Sequence, residues 1–424
     1  MNIAIYCGKN PGPAVDATNL EKGNPGVGGT QYVMLLLAHY LSQDPKYNVS
    51  VLSVRPYFLS GGGKFVPISG DSEVVDACER MRTDILIIRD HSEVIRRDIA
   101  RSRLKVVYWS HNYVYADFCR FVARTPQIKC NVFVGKQQYD RYIDNDVIRK
   151  SVTIFNPIND SCDVPRSDDG RTVVYVGALA AVKGFCELCR IWPGIVKKVP
   201  GARLLVIGSG QLYEQTKLGK YGIAEEHYEK QFIPFITDSE GKIIPSVEFL
   251  GILGDEKTDV FLNSSVGVVN LSRNSETFGM VIVEMATAGL PVVTIRKNGH
   301  FDTVVDGKTG VLCSSLTDVQ RNIIELLQSP ERNERYGRNA KKFIRKFSPE
   351  IIVPQWKALL DAVYADDLKI ACCEPSAPFS SDLKWLRCLL RFVRFRLGLS
   401  FVPSLTDLEY AAIKCRNLLI NKWS

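Results

Sequence analysis

The sequence predicts an α/β protein with two doubly wound parallel sheets, and three observations support this fold class. Short, continuous apolar runs recur along the chain, as expected of parallel strands that are buried on both faces. Amphipathic helical patterns separate several of these runs, which is typical of βαβ crossovers. The alternation is interrupted once, at residues 156–170, and then starts again. We therefore expect two Rossmann-like halves, with a ligand between them at the carboxyl ends of the strands.

The first half is predicted to span residues 1–165 as an N-terminal Rossmann-like domain. Helical patterns follow its first strand at 30–41 and its fifth at 136–144. The predicted strands of this half are 3–6, 49–54, 85–88, 105–109, 131–134 and 152–155. Pro157 and the polar run 166–170, which ends in a glycine, then indicate a linker.

The second half is predicted to span residues 166–348, with a connection at 211–246 that is too long for an ordinary loop. That connection is rich in tyrosine and phenylalanine, so we expect it to carry some order of its own. The predicted strands are 172–176, 203–207, 247–250, 266–270, 291–295 and 310–313. Residues 349–366 carry one apolar face and predict a helix that returns to the N-terminal domain. Residues 367–424 form a basic helical tail.

The composition describes a globular protein with an ample core, since 46% of its residues are hydrophobic and 24% are charged. The chain contains no apolar run long enough to cross a membrane, and its N-terminus reads as a buried strand rather than a signal peptide. Its twelve cysteines are scattered, and Cys186 and Cys189 form the one C-x-x-C pair. A zinc site needs four ligands, so we expect no metal. We expect the thiols to be free, which indicates a reducing, cytoplasmic location.

The tail contains a local excess of positive charge, with five basic residues and no acid between residues 383 and 396. At helical spacing, the basic face comprises Lys384, Arg387, Arg391 and Arg394, and the apolar face comprises Leu383, Leu386, Leu390, Val393 and Leu397. One interpretation is an interfacial helix at 383–397 on an anionic membrane, which would place the protein at the inner face of the plasma membrane. The other is a helix packed on the protein with a solvated basic face. Nucleic acid is not an expected partner.

The segment 275–284 places two carboxylates, Glu276 and Glu284, eight residues apart with an apolar run between them. We expect Glu276 on a loop before a helix and Glu284 about two turns inside that helix. The free amides at a helix N-terminus bind anions, so a sugar, a phosphate and a ribose diol fit this arrangement. The alternative is that glutamate is simply favoured near helix starts by the helix dipole.

Three further features lie where strands end and helices begin. Gly28 and Gly29 open the first long helix, Lys183 precedes another helix, and His111 follows the strand that ends at residue 109. Glycines allow backbone amides to approach an anion, and a lysine at such a point can neutralise a phosphate. Each feature also has an ordinary structural explanation, as a turn, a surface lysine or a hydrogen-bonded histidine.

Taken together, these features resemble the family 4 glycosyltransferases, which have the GT-B fold of two Rossmann-like domains facing across a cleft. The resemblance covers residues 1–366 and is strongest from 172 to 313. Its landmarks are Gly28-Gly29, His111, the segment 177–184, the glycines at 208 and 210, the segment 247–251, the Glu276–Glu284 pair and the segment 306–310. The spacing of the two glutamates is the most specific of these landmarks.

The resemblance implies that residues 1–165 form the acceptor domain and residues 166–348 the nucleotide-sugar-binding domain. It also implies a role for each matching residue. The implied catalytic residues are His111 beside the anomeric carbon, Lys183 on the diphosphate and Glu276 on the transferred sugar. The implied nucleotide-sugar contacts also include Gly28, Gly29, Gly251, Ile252, Thr277, the amides of Phe278 and Gly279, and Glu284 on the ribose. It further implies retention of configuration through same-face attack, with no metal, and a hexosyltransferase-type activity (EC 2.4).

The sequence departs from the family at Ala178, where an arginine usually stands beside the lysine. A diphosphate leaving group requires compensating positive charge. We expect Arg273, Lys297 or the helix dipole to supply it.

The predicted function is transfer of a sugar from a nucleotide-diphospho-sugar to a hydroxyl of a glycan or lipid-linked acceptor, in cell-surface polysaccharide synthesis. The alternatives are a degenerate GT-B protein that binds without turnover and a GT-B phosphorylase or epimerase.

Overall fold

A computed structural model describes residues 1–159, 162, 164–167, 169–211, 217–272, 276–379 and 381–420, with side chains up to residue 417 in the last segment. The chain forms two compact units. Unit 1 comprises Met1–Asn19, Val33–Pro157 and Pro349–Ser424, and unit 2 comprises Leu20–Tyr32 and Ile158–Ser348. The main division therefore falls at Pro157, eight residues before the predicted boundary at 165.

Unit 1 is built on a seven-stranded parallel sheet and a separate pair of short parallel strands. The strands are β1 (Asn2–Tyr6), β2 (Val15–Ala17), β3 (Asn48–Ser53), β4 (Tyr57–Leu59), β5 (Lys64–Pro67), β6 (Ile85–Ile88), β7 (Lys105–Ser110), β8 (Ile128–Phe133) and β9 (Ser151–Thr153). The large sheet has the order β5-β3-β1-β6-β7-β8-β9, and β2 pairs with β4. Its chain order reverses between β1 and β6, which creates a switch point where Rossmann-like sheets bind ligands.

Unit 2 is built on a six-stranded parallel sheet with the order β12-β11-β10-β13-β14-β15. Its strands are β10 (Thr172–Val176), β11 (Arg203–Ile207), β12 (Val247–Gly251), β13 (Val266–Val268), β14 (Val292–Ile295) and β15 (Gly310–Cys313). The strands other than the edge strand β12 are mostly buried, because helices cover both faces of a parallel sheet. The switch point of this sheet lies between β10 and β13.

Fifteen α-helices in the described chain flank these sheets and form the C-terminal extension. They are α1 (Gly29–Ser42), α2 (Val74–Arg80), α3 (Glu93–Arg101), α4 (Ala116–Arg124), α5 (Lys136–Asp140), α6 (Phe185–Lys198), α7 (Glu226–Phe232), α8 (Lys257–Leu262), α9 (Met280–Thr287), α10 (His300–Thr303), α11 (Leu316–Gln328), α12 (Pro330–Phe343), α13 (Pro349–Tyr364), α14 (Lys384–Arg391) and α15 (Leu405–Ile420). None of the helices found in the described segments has the length and apolar character needed to span a bilayer. The connection at 211–246 contains α7 and a short 3₁₀ turn.

The predicted helix at 349–366 is observed as α13, and it is part of unit 1. Trp356 of this helix is fully buried against Trp109 of β7, with 4.6 Å between the ring centroids. Lys105 of β7 donates to Asp366, just beyond the helix, at 2.6 Å. The apolar face read from the sequence therefore does pack on the sheet of unit 1.

The basic face of the tail is buried, so the expectation of a solvated basic face at 383–397 is wrong. Lys384 is 2% exposed and Arg387 is fully buried. These two cations lie on the inner side of α14, and a third buried cation, Arg394, lies in the turn after it. Carboxylates of α5 and of the residues after α5 meet all three. The contacts are Lys384 Nζ to Asp140 Oδ2 at 2.9 Å, Arg387 Nη1 to Asp144 Oδ1 at 3.5 Å and Arg394 Nη2 to Asp146 Oδ2 at 2.8 Å. Charge pairing, rather than hydrophobic burial, decides which side of this helix faces inward.

Candidate functional site

A cluster of charged and amide side chains lies at the switch point of unit 2. Lys183, in a 3₁₀ turn after β10, donates from Nζ to Oε2 of Glu276 at 2.9 Å. Asn270, two residues after β13, donates from Nδ2 to the same oxygen at 2.8 Å. The structure thus brings together two of the predicted catalytic residues, Lys183 and Glu276, although they are 93 residues apart in the chain.

A second ammonium group joins this cluster through Asn270. Lys297, which follows β14, donates from Nζ to Oδ1 of Asn270 at 3.0 Å and to the carbonyl oxygen of Ser272 at 2.8 Å. Asn270 therefore accepts a hydrogen bond from Lys297 and donates one to the carboxylate of Glu276, which also accepts from Lys183. Lys297, one of the cations expected to replace the missing arginine, is therefore linked to the cluster through Asn270.

The surroundings fix the charge of each group in the cluster. Burial raises the pKa of Glu276, but the ammonium of Lys183, the nearby His300 and the hydrogen bonds from Lys183 and Asn270 outweigh it, so the pKa lies well below its usual range. Burial lowers the pKa of Lys297 to about 8, and the carboxylate of Glu276 opposes this effect. At neutral pH the carboxylate is ionised and Lys297 is still mostly protonated.

His300, the first residue of α10, is a member of the site that the sequence analysis missed. Its Nδ1 lies 2.9 Å from the carbonyl oxygen of Ile295 and 3.2 Å from Oγ1 of Thr294. Because a carbonyl only accepts, Nδ1 carries the hydrogen, which leaves Nε2 as an acceptor. Burial, followed by the charge of Lys297, lowers the pKa of His300, so the ring is neutral at pH 7. Nothing in its spacing marks it as functional, since it begins a different helix from the one that contains Glu284.

Two glycines allow the loops around the cluster to touch backbone to backbone. A Cβ atom at Gly184 would lie 2.2 Å from the amide nitrogen of Ser272, and one at Gly299 would lie 2.4 Å from the carbonyl carbon of Thr277. Gly184 also has a φ of +71°, which favours glycine. The amide of Gly299 donates to the carbonyl oxygen of Glu276 at 2.8 Å. Close backbone packing thus holds the loops of Lys183, Glu276 and Lys297 in place.

The loop after Glu276 leads directly into α9. Phe278 is buried, with its ring 5.1 Å from that of Phe347, and Gly279 has a φ of +86° just before the helix starts at Met280. A Cβ atom at Gly29 would lie 3.5 Å from Cβ of Met280, so the predicted Gly28-Gly29 segment adjoins the start of this helix. Glu284 is the fifth residue of α9, just over one turn inside rather than the predicted two, because the helix begins only at residue 280.

Glu284 forms a buried ion pair that the sequence did not reveal. Nζ of Lys257, the first residue of α8, donates to Oε2 of Glu284 at 2.9 Å, and both side chains are less than one-tenth exposed. The pair lines a cavity of about 590 Å³, together with Asn24, Asp255 and Thr287. Lys257 was missed because a lysine at a helix start 27 residues before Glu284 carries no local signal.

His111 lies in unit 1, at the carboxyl end of β7, as its place in the sequence predicted. Its ring packs on Trp109 with 4.8 Å between centroids. Burial, and then the positive charge of Arg89, lower the pKa of His111 to about 3, so this imidazole is neutral. It can take part in hydrogen bonding but carries no charge at neutral pH.

A second charged pair, Arg89 and Asp90, follows β6 at the switch point of unit 1. Nε of Arg89 is 3.6 Å from Oδ2 of Asp90, and neither atom has a hydrogen-bond partner among the residues described. Gly8, at the end of β1, leaves room for both, since a Cβ atom there would lie 3.2 Å from Nη2 of Arg89. These groups were also missed, because the sheet rather than the sequence brings residues 8 and 90 together.

Comparison with known proteins shows what this chain is similar to. The family profile described as "Glycosyl transferases group 1" matches residues 159–343, which contain the whole cluster around Glu276. Residues 159–343 of the chain therefore match a group 1 glycosyltransferase domain. The chain is 22% identical over 338 residues to an uncharacterized glycosyltransferase of Haemophilus influenzae, and this alignment covers 76% of the chain and 87% of that protein. It is 27% identical over 205 residues to a capsular polysaccharide biosynthesis glycosyltransferase of Staphylococcus aureus, covering 48% of each.

Solved structures establish the fold of this glycosyltransferase as GT-B. A sucrose-phosphate synthase from Thermosynechococcus elongatus matches with a TM-score of 0.62 and 16% identity over 86% of this chain and 99% of its own. An Anabaena protein solved with UDP and glucose matches with a TM-score of 0.61 and 15% identity, covering 85% of this chain and 100% of its own. The fold class predicted from the alternating strands and helices is confirmed.

The remaining predicted contacts of the glycosyltransferase lie apart from the cluster or outside the described residues. Gly251 ends β12, the edge strand of the sheet, where its carbonyl oxygen accepts from Gly208 at 2.8 Å, and the side chain of Ile252 is half exposed. Ala178 is buried after β10. Arg273 lies outside the described residues, so its part in compensating charge stays a prediction. Within the described segments, no group of three or more potential metal ligands is present.

Proposed function

We propose that this glycosyltransferase moves a sugar from a nucleotide-diphospho-sugar to a hydroxyl of a glycan or lipid-linked acceptor, with retention of configuration. The observation that carries the proposal is the cluster at the switch point of unit 2, where an ionised carboxylate lies within hydrogen-bond distance of an ammonium group. A polyol and a diphosphate need these two kinds of group side by side. The switch point of a doubly wound sheet is also where such ligands bind.

The donor end of the reaction is assigned to unit 2. Glu276 accepts hydrogen bonds from hydroxyls of the transferred sugar, and the amides of Phe278 and Gly279 at the start of α9 face its distal phosphate. Glu284 accepts from the ribose hydroxyls in the cavity that it shares with Lys257. The pairing with Lys257 keeps this carboxylate in one orientation before the ribose arrives. Gly251 and Ile252 border the base, and Thr277 completes the donor loop.

The base is proposed to be uracil in the first instance. The Anabaena relative has been solved with UDP-glucose, and a pneumococcal O-GlcNAc transferase with UDP and GlcNAc. These proteins share the fold at 14–15% identity, so they motivate the choice of donor without deciding it.

The transfer itself needs no group beyond those described. The bond between the anomeric carbon and the phosphate oxygen breaks as the acceptor oxygen bonds to that carbon from the same face, and the acceptor proton passes to the departing diphosphate. Lys183 compensates the charge that develops on the diphosphate, and Lys297 supplies the second cation that Ala178 does not. The transition state resembles an oxocarbenium ion, which the carboxylate of Glu276 also stabilises.

The acceptor is assigned to unit 1. Arg89, Asp90 and the neutral His111 lie at the carboxyl ends of two adjacent strands, β6 and β7, and offer donors and acceptors for sugar hydroxyls. The Staphylococcus aureus relative acts in capsular polysaccharide biosynthesis, which supports a cell-surface glycan as the product. A polymer of this kind would be assembled at the cytoplasmic face of the plasma membrane.

The test begins with calorimetric titration of UDP, GDP and ADP and their sugar conjugates. We expect one base to be preferred, and we expect Lys183→Ala to weaken binding of that donor at least tenfold and to lower kcat by about 10²–10³. Glu276→Gln should lower kcat while nucleotide binding stays close to wild type. Lys197→Ala, at an exposed lysine in the last turn of α6, is the matched control and should change neither.

The competing functions give different outcomes. Binding without turnover on any glycan acceptor would favour a degenerate binding protein, the alternative that Ala178 raises. Turnover that requires inorganic phosphate would favour a phosphorylase. An NMR spectrum that shows an inverted anomeric configuration in the product would contradict retention but not transfer.

A further inference from the structure

The outer side of α14 and of the turn that follows it is apolar. Trp385, Leu389 and Phe392 recur at intervals of four and three residues, and they are 56%, 54% and 52% exposed. Leu397 and Phe401, which follow the helical turn, are exposed as well, and Phe401 is 82% exposed. We call these five residues the apolar ridge. Contiguous large apolar side chains on one face of a monomer indicate a surface that something else covers.

The apolar ridge cannot be turned inward, because the opposite side of α14 is fixed by charge. Lys384 donates to Asp140, to Gln137 and to the carbonyl oxygen of Ser376, and Arg387 donates to Glu409 at 2.7 Å. Rotation of the helix would bury the ridge only by leaving these inner groups without partners. The exposure of the ridge is therefore set by the fold.

The exposed charges that the described residues of 383–417 contribute are positive, although the exposed Glu374 of the preceding segment lies 3.7 Å from Arg391. The sequence from 383 to 420 contains two acids, Asp407 and Glu409. Asp407 pairs with Arg120 at 2.6 Å, and Glu409 pairs with Arg141 at 3.1 Å. Three cations in this stretch, Arg396, Lys414 and Arg416, are exposed. A partner for this surface must accept apolar side chains and carry negative charge.

We propose that the apolar ridge inserts into the interfacial layer of an anionic lipid bilayer. Tryptophan and phenylalanine favour that layer, and the neighbouring arginines and lysines would meet lipid phosphates. A second copy of this chain fits less well, because pairing two such surfaces would bring their cations together. The membrane contact is thus made by the apolar side of the tail rather than by the basic face that the sequence indicated. It does not depend on the proposed sugar transfer.

The test is co-sedimentation of the full-length protein with vesicles of phosphatidylcholine alone and with vesicles of equal parts phosphatidylcholine and phosphatidylglycerol. We expect binding to the anionic vesicles only. Replacing Trp385, Phe392 and Phe401 together by serine should weaken this binding by at least about tenfold, since each loses the transfer of an aromatic ring from water. The matched control replaces Phe58 and Tyr364, which are 62% and 50% exposed elsewhere on unit 1, and should bind as wild type does.

The charge requirement is tested separately, by changing Arg396, Lys414 and Arg416 together to glutamine. This variant should lose the preference for anionic vesicles and the salt dependence of binding. Circular dichroism and thermal unfolding should match wild type in all variants, because every substituted side chain is exposed.

Four outcomes would overturn the proposal. They are no binding of the wild-type protein to anionic vesicles, equal binding to both vesicle types, unchanged binding of the serine variant, and a preference for anionic vesicles that survives loss of the three cations. A dimer seen by light scattering that the serine variant abolishes, without any vesicle binding, would assign the surface to a second copy instead. None of these readouts requires a donor or an acceptor, so they are independent of the test of sugar transfer.

Discussion

At the scale of single residues, the site depends on how two ammonium groups share one amide and one carboxylate. Asn270 accepts from Lys297 and donates to Glu276, which also accepts from Lys183. The carboxylate stays ionised despite its burial because these partners favour the charged form. Lys297 is held less strongly in its charged form, since burial lowers its pKa to about 8. Of Glu276 and Lys297, Lys297 is therefore the group that titrates near neutral pH.

Lys297 should set the alkaline limit of activity. As the pH rises through about 8, the ammonium loses its proton and the diphosphate loses a compensating charge, so kcat/KM for the donor should fall. Lys297→Arg keeps its charge and should move the decline to higher pH, which a pH–rate profile of both proteins measures. A decline at the same pH in both would assign it to another group.

Unfolding would not account for that decline. The pKa of Lys297 is lower in the folded chain than in the unfolded one, so the unfolded chain binds more protons between pH 8 and its ordinary value of 10.5. The contribution of this residue to stability therefore rises with pH over the range in which activity is expected to fall. Thermal unfolding recorded across the same pH range is the control.

At the scale of elements, the site is assembled from turns that follow three adjacent strands, β10, β13 and β14. Gly184 places the turn of Lys183 directly on the backbone of Leu271 and Ser272. Strand spacing sets the rough position of each turn, and this close packing sets the final one. Such precision matters, because catalytic groups lose much of their effect when they are displaced by about 1 Å.

Gly184→Ala should therefore reduce activity without direct contact to a substrate. The added Cβ would lie 2.2 Å from a backbone nitrogen at a φ of +71°, so the Lys183 turn must move away. We expect a loss of kcat of about a hundredfold and a destabilisation of about 1–3 kcal/mol, measured by kinetics and urea unfolding. Gly222→Ala, at a similar φ of +69° but with open space around the Cβ position, is the control for backbone strain alone. Equal losses of activity in both variants would argue against displacement of the turn.

At the scale of the whole molecule, the C-terminal extension is held to unit 1 by buried charge. Arg387 is fully buried between Asp144 and Glu409. Burial raises the pKa of Asp144, and the guanidinium of Arg387 opposes this effect. Removing one partner of such a pair costs more than the pair contributes, because the other charge stays buried alone.

Arg387→Met should therefore destabilise the protein by about 3–5 kcal/mol at pH 7. The loss should shrink as the pH falls, because an unpaired Asp144 takes up a proton and becomes neutral. The double variant Arg387→Met with Asp144→Leu should recover most of the stability, and Arg396→Met, at an exposed arginine, should change little. Urea unfolding at two pH values measures these differences, and additive losses in the double variant would contradict the pairing.

The sequence predicted what depends on local pattern and missed what depends on distant partners. Every predicted strand is present, because apolar runs mark buried parallel strands, whereas β2, β4 and β5 are short and were missed. Lys183 and Glu276 were found as candidates because both were predicted to lie just before a helix start and both match landmarks of the family resemblance. Their companions Asn270 and His300 were missed, as was Lys257, the partner of Glu284, because polar residues in separate segments carry no periodic signal. The predicted orientation of α14 was wrong because Asp140 and Asp144, which pair with Lys384 and Arg387, lie about 240 residues earlier in the chain.

The two sides of α14 have separate roles, because the inner side attaches the helix to unit 1 and the outer side is left to contact a partner. The ion pairs hold the extension in place from one side only, so the outward positions are not needed for folding. Substitutions there could retune where the enzyme resides while leaving its architecture untouched. Substitution of the five side chains of the apolar ridge would in this way change the surface that the enzyme binds without changing its fold.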